Sequence, residues 1–166
     1  MNATDTLLPL IFSAMISVPC LAADPIVFVS AFASGEKAGI HAFRFDQDNG
    51  SLKPLKRSTG VQNPFFIAVS PDKRFLYSID TEKFGGPDSA FVGAFAIEGR
   101  GGDLKFLNRQ SAHGTASCFL DVDPSGKTVL VANYNSGNVA SFPVQANGSL
   151  GEAVSVVQHS GSSVDP

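Results

Sequence analysis

The sequence has no tryptophan, two tyrosines and only two cysteines, Cys20 and Cys118. So few cysteines exclude a Cys-based zinc site. Charged residues make up 16% of the 166, below the roughly 25% usual for soluble domains. Bases are outnumbered by acids, 12 against 15, for a formal charge of −3. A nucleic-acid binder would carry a basic stripe, so no nucleic-acid partner is expected. No stretch rich in Ala, Glu, Lys and Leu is long enough for a helical bundle. No His, Asp and Glu fall at metal-ligand spacing, so no metal is expected. Ser117 and Ser136 have no His placed for triad chemistry, and there is no G-x-S-x-G. Gly99-Arg100-Gly101-Gly102 is glycine-rich but opens no helix, which argues against a phosphate loop.

What is present points to strands. Hydrophobic residues reach 43%, with 14 Phe, 16 Gly and 10 Pro. Such a chain can bury a core, which excludes intrinsic disorder. Many Phe and Val beside many Gly and Pro predict short strands joined by tight turns.

The N-terminus reads separately. Leu7 to Val18 is apolar, and Cys20 and Ala22 are small residues at −3 and −1 of a cut after Ala22. This is the shape of a secretory signal peptide, too short for a membrane span. The leader lacks Lys and Arg, and Ser17-Val18-Pro19 before Cys20 is no lipidation signal. The expectation is a signal peptide over 1–22, a folded domain over 23–166, an exported product and no membrane attachment after cleavage. Cys118 would then be the one remaining cysteine, a small buried hydrophobe without a disulfide.

An internal repeat organises the rest. Phe66–Tyr77 and Phe119–Leu130 each read as strand, Pro-Asp or Pro-Ser-Gly turn, strand. Proline fixes the turn's φ, and Gly126 tolerates a positive one. A second unit occurs three times: Ile40–Phe45 before Asn49-Gly50, Val92–Ile97 before Gly102, and Val139–Val144 before Asn147-Gly148. Asn-Gly is a hairpin-turn signal. Asn147-Gly148-Ser149 also spells a glycosylation sequon, which the turn explains equally well. Apolar residues at i, i+3 and i+5 break strict alternation, so the unit predicts a bulge or burial on both faces.

Together the units give four strands per repeat, in the last repeat near Ser117–Val122, Thr128–Asn133, Val139–Val144 and Val154–His159. Four antiparallel strands recurring about every 50 residues is a β-propeller pattern. Val129-Leu130-Val131-Ala132 is apolar throughout, as in a strand packed between two blades. The fold class expected is all-β, a β-propeller of four-stranded antiparallel blades. The chain holds about two and a half to three of them. Propellers close with about 4–8 blades, so the expectation is an N-terminal fragment whose open blade faces allow self-association, head to tail.

From about Pro25 to Pro166 the chain resembles the lactonase family of seven-bladed β-propellers. These include propeller-type 6-phosphogluconolactonases, with carboxy-muconate cyclases as relatives. Asn63–Pro71 resembles the family's "NPSFLAVSP", Val129–Val139 its "VLVANYGSGSV" and Val156–Ser162 its "VVQHEGSS". The resemblance implies a carboxylic-ester hydrolase acting on a sugar lactone, with no cofactor. It also implies channel histidines beyond Pro166. Within the chain, Phe119 stands where the family often has His and Asp80 where it often has Asn. Phe32 and Ala31 replace a usual Tyr and Thr. Phe119 and Asp80 favour the alternative, a non-enzymatic exported propeller serving as a binding scaffold.

Three residues are substrate-channel candidates. Asn133 and Tyr134 follow a buried strand, where propeller loops reach the channel mouth, or else cap the strand end. His159, at a strand end and within the family pattern, can serve as a base near neutral pH or bond a turn carbonyl. His41 is read as a surface strand residue and His113 as a solvated loop residue. Catalytic residues stay unassigned.

Overall fold

In the computed structural model, residues 24–33, 35–61 and 63–161 are described. The expected signal segment, residues 1–22, lies outside them. The described residues form eleven strands in three antiparallel sheets. The first holds β1 (Ile26–Ala31), β2 (Gly39–Phe45) and β3 (Leu52–Ser58). The second holds β4 (Pro64–Val69), β5 (Phe75–Asp80), β6 (Phe91–Glu98) and β7 (Asp103–Ser111). The third holds β8 (Ser117–Val122), β9 (Thr128–Asn133), β10 (Asn138–Pro143) and β11 (Ser155–Gln158). Within each sheet, strands neighbouring in sequence neighbour in space, so each sheet is a meander, the form of a propeller blade.

The turns follow the chemistry of their residues. Between β4 and β5, Ser70 N donates to Phe75 O and Lys73 N to Ser70 O. Between β8 and β9, Asp123 N donates to Thr128 O and Gly126 N to Asp123 O. Gly126 takes a φ of 71°, which glycine adopts freely, and Lys73 holds the matching position at 60°. The Asn147-Gly148 turn is closed by Gly148 N to Gln145 O, with Asn147 Oδ1 accepting from Ser149 N at 3.1 Å.

The i, i+3, i+5 spacing reflects burial on both faces rather than a bulge in the strand that carries it. In β2 the ladder to β3 shifts register between Ala42 and Phe43, and in β6 the ladder to β7 shifts between Ala94 and Phe95. The extra residues are Leu55 of β3 and Leu107 of β7, so β2 and β6 themselves alternate without a break. In β6, Val92 and Ala94 face one core while Phe95 and Ile97 face the other. In β10 both ladders run without a shift.

Apolar faces hold the blades together. Phe75, Tyr77 and Ile79 of β5 meet Leu120, Val129, Val131 and Phe142 of the third sheet in one core. On the opposite face, Leu76 and Phe95 join Ile40 and Val61 in a second core towards the first sheet. All six residues of β5 are therefore buried. Polar links tie the same seam. The fully buried Tyr77 hydroxyl donates to Gly148 O at 3.1 Å, and Asn108 both donates to Leu150 O and accepts from Leu150 N. Burial pushes the Tyr77 phenol up to about 12, with the Asp72 charge adding to it.

Three expectations need correction. β9 is covered on one face only: Val129 and Val131 are buried, but Leu130 is 48% exposed, because no described element lies against the outward side of the third sheet. Cys118 is half-buried rather than fully enclosed, with Sγ 3.9 Å from Ala132 O. The last two strands differ from Val139–Val144 and Val154–His159: β10 is displaced one residue towards the N-terminus, and β11 is shorter, from Ser155 to Gln158. Val144, beyond Pro143, makes an isolated bridge to Leu150, and its N donates to Lys127 O at 2.8 Å.

Among the described residues the first blade holds one strand fewer than the others. The matching bulges equate β2 with β6, so β1 corresponds to β5. The absent position is the one that β4 and β8 fill, and that edge of β1 pairs with no described strand.

Candidate functional site

The repeat aligns the end of β5 with the end of β9, so Asp80 and Asn133 occupy matching positions on one rim of their blades. Asn133 is buried. It accepts from Ser117 Oγ at 2.5 Å and donates from Nδ2 to Ala112 O at 2.9 Å. A Cβ on Gly114 would collide with its amide and with Asn138, so the loop before β8 closes directly over it. Both polar ends of Asn133 are thus engaged by its own chain, and the residue ties that loop to β9. Tyr134, next in sequence, is 75% exposed, with its backbone N donating to Ala116 O. His159 is exposed just past β11, and its backbone N donates to Gly137 O at 2.9 Å. Asn133 and Tyr134 are neighbours on the rim, while β10 separates His159 from them. No hydrogen bond joins the three among the described residues. His113 is exposed, its ring 6.5 Å from Phe142, and His41 Nε2 lies 3.1 Å from Lys37 O.

Asp80 is the residue that spacing alone does not pick out as a site. It is 5% exposed, and Oδ1 accepts from Ser78 Oγ at 2.9 Å. In the third blade the hydroxyl partner is Ser117, whose counterpart in the second is Pro64, so the donor has moved to Ser78 on β5 itself. Burial pushes the Asp80 carboxyl up to about 7, while the Ser78 hydroxyl and the Arg109 charge pull it down. Gly93 on β6 leaves room for it, since a Cβ there would come within 2.9 Å of Asp80 Oδ2.

Asp80 opens onto a cleft of about 590 Å³ at this rim. The strand ends form one side, with Arg109 on β7 and Phe91 on β6, and residues 81–90 form the other. The Arg109 guanidinium lies 4.3 Å from the centre of the Phe91 ring, a cation–π stack. Phe84 in the loop stacks on Phe65 of β4 at 4.4 Å, and Asn63 Nδ2 donates to Glu82 O at 2.9 Å. A second groove runs along the opposite turns, between Pro71 and Phe75 on one side and Pro124 and Val144 on the other. Among the described residues no three His, Cys, Asp or Glu side chains gather as metal ligands would.

Three antiparallel meanders joined through shared apolar faces define a segment of a β-propeller. The lactonase, seven-bladed β-propeller profile matches residues 26–166, and the chain belongs to that family. The 6-phosphogluconolactonase of Bacillus subtilis is 38% identical over 136 residues, covering 82% of this chain and 38% of that protein. A solved structure from Bacteroides fragilis superposes with a TM-score of 0.77 at 33% identity, covering 86% of this chain and 38% of that one. The periplasmic gluconolactonase of Pseudomonas aeruginosa superposes with a TM-score of 0.71 at 27% identity, covering 83% and 39%. The chain therefore spans about two-fifths of the length of the relatives it matches.

Proposed function

We propose that the protein to which this chain belongs is a carboxylic-ester hydrolase that opens a sugar-acid lactone, of the 6-phosphogluconolactonase type. The single observation carrying this reading is the 38% identity to the Bacillus subtilis enzyme across most of the chain. Lactone opening needs a base for water and donors for the carbonyl oxyanion. Among the described residues no such pair converges: Asn133 is spent on its own loop, and Tyr134 and His159 stand apart on the rim. The chain by itself is proposed to be an inactive N-terminal part that supplies blades rather than chemistry.

The test is a pH-stat assay of glucono-1,5-lactone and its 6-phosphate. The 166-residue chain is expected to match buffer. A protein extended by the remaining blades is expected to turn over with a kcat on the order of 1–1,000 s⁻¹. Such a rate from the 166 residues alone would overturn the division of labour. An inert extended protein would favour the scaffold reading, which Phe119 and Asp80 support by replacing the family's usual His and Asn.

Export belongs to the same proposal. It is supported by the apolar run Leu7 to Val18 with its small residues before Ala23, and by the likeness to a periplasmic gluconolactonase. N-terminal sequencing of the protein recovered outside the cytoplasm should begin at Ala23. A mature protein retaining Met1 would refute it.

A further inference from the structure

The second blade departs from the third at one rim in two coupled ways. The loop between its middle strands has ten residues, 81–90, where the third blade uses four, 134–137. At the base of that loop an acid, Asp80, replaces the amide of Asn133. The matching amide is bonded at both ends, whereas Asp80 Oδ2 has no donor among the described residues and borders the cleft. Its neighbour Arg109 likewise makes no hydrogen bond or ion pair with a described residue, being held by the face of Phe91. A nearly buried acceptor and a set of unused donors thus face one space. The longer loop walls that space and is pinned by the Phe84–Phe65 stack and the Asn63–Glu82 bond.

The balance of charge selects the ligand. Asp80, Glu82 and Asp88 line the cleft against Lys83 and Arg109, so a phosphate or carboxylate meets more acid than base. A cation meets the Arg109 guanidinium beside the only deeply placed carboxyl. A neutral hydroxyl satisfies both sides, because it can bond the Asp80 carboxyl in either protonation state and accepts from the guanidinium. Vicinal hydroxyls allow both bonds at once, and charge-assisted bonds are the strong ones. We propose that the cleft between Asp80, Arg109 and the 81–90 loop is a binding site for a neutral polyhydroxyl ligand, a sugar or polyol. It lies on the second blade alone and is independent of the lactonase reading.

The test is an NMR titration of the whole chain with glucose, maltose and sorbitol, with inorganic phosphate as the anionic comparison. Saturable shifts of the Thr81, Ser89 and Phe91 amides are expected with at least one neutral ligand, and weaker ones with phosphate. Arg109 is exposed, so Arg109→Gln should leave the dichroism unchanged while weakening binding about tenfold. Arg109→Lys, which keeps the charge but loses the planar fork, should fall between. Absence of saturation with all three neutral ligands would overturn the site. So would tighter binding of phosphate, or unaltered affinity in Arg109→Gln.

Discussion

Replacing Asp80 with asparagine is expected to flatten most of the fall in stability that the parent chain shows between about pH 4 and about pH 8. The sign follows from which state holds the proton. The ordinary value for the group is 3.8, and burial in the folded chain raises it to about 7. Below the lower value both states are protonated, and the group has no effect on folding. Between the two, the unfolded chain has released its proton and the folded chain still holds it, so stability falls as pH rises. Above about 7 both are ionised, and the full cost of a buried charge remains, on the order of 4 kcal/mol relative to acid. Arg109 is the cation that opposes this rise, and Ser78 the hydroxyl donor.

Asparagine removes the charge and keeps an oxygen for Ser78. Asn133 shows that an amide suits the matching position, since it accepts from a serine hydroxyl there too. Asp80→Asn should therefore gain about 1–3 kcal/mol over the parent at pH 8 and little or nothing near pH 4. Urea unfolding of both chains across that range is the measurement. A difference that does not change with pH would show that Asp80 titrates as an ordinary surface acid.

The blade architecture was legible because its signals are local. Pro71-Asp72, Pro124-Ser125-Gly126 and Asn147-Gly148 each fix a turn through their own backbone preferences, and the strands between them alternate or run apolar. The repeat then multiplied each weak local reading. The ends of β10 and β11 were less legible, because Pro143 and the turn after it decide where the ladder stops. The exposure of Leu130 could not be read at all, since an all-apolar strand reports what a complete ring would cover. The site was harder still. Asn133 stands at a conspicuous strand end, but its bonding to Ser117 and Ala112 depends on a loop sixteen or more residues away. Asp80 was visible only as a departure from a family pattern. Superposing the two repeats supplies what was missing, because it sets Asp80 on Asn133 and exposes the longer loop beside it.

Phe142→Ala is expected to cost about 3–5 kcal/mol, a large part of the roughly 5–15 kcal/mol that holds a typical domain folded. Phe142 lies on β10 with none of its surface exposed, in the core shared by the second and third blades. Its register partner across the ladder is Val129, which is also fully buried. The ring therefore fills the seam between blades, and its removal leaves a cavity that two stiff sheets cannot close by collapse. Phe142→Leu retains most of the volume and should cost much less, about 1–1.5 kcal/mol. The pair separates loss of packing from loss of the aromatic contact with His113. Urea unfolding followed by both tyrosine fluorescence and circular dichroism is the appropriate measurement. Tyr77 sits on the second blade and Tyr134 on the third, and a single coincident transition is expected in the parent and in Phe142→Leu. A loss below about 1 kcal/mol in Phe142→Ala, or two separate transitions in the parent, would mean that the blades do not depend on this seam. The propeller segment would then be a string of independent sheets, and the shared core would contribute little to its stability.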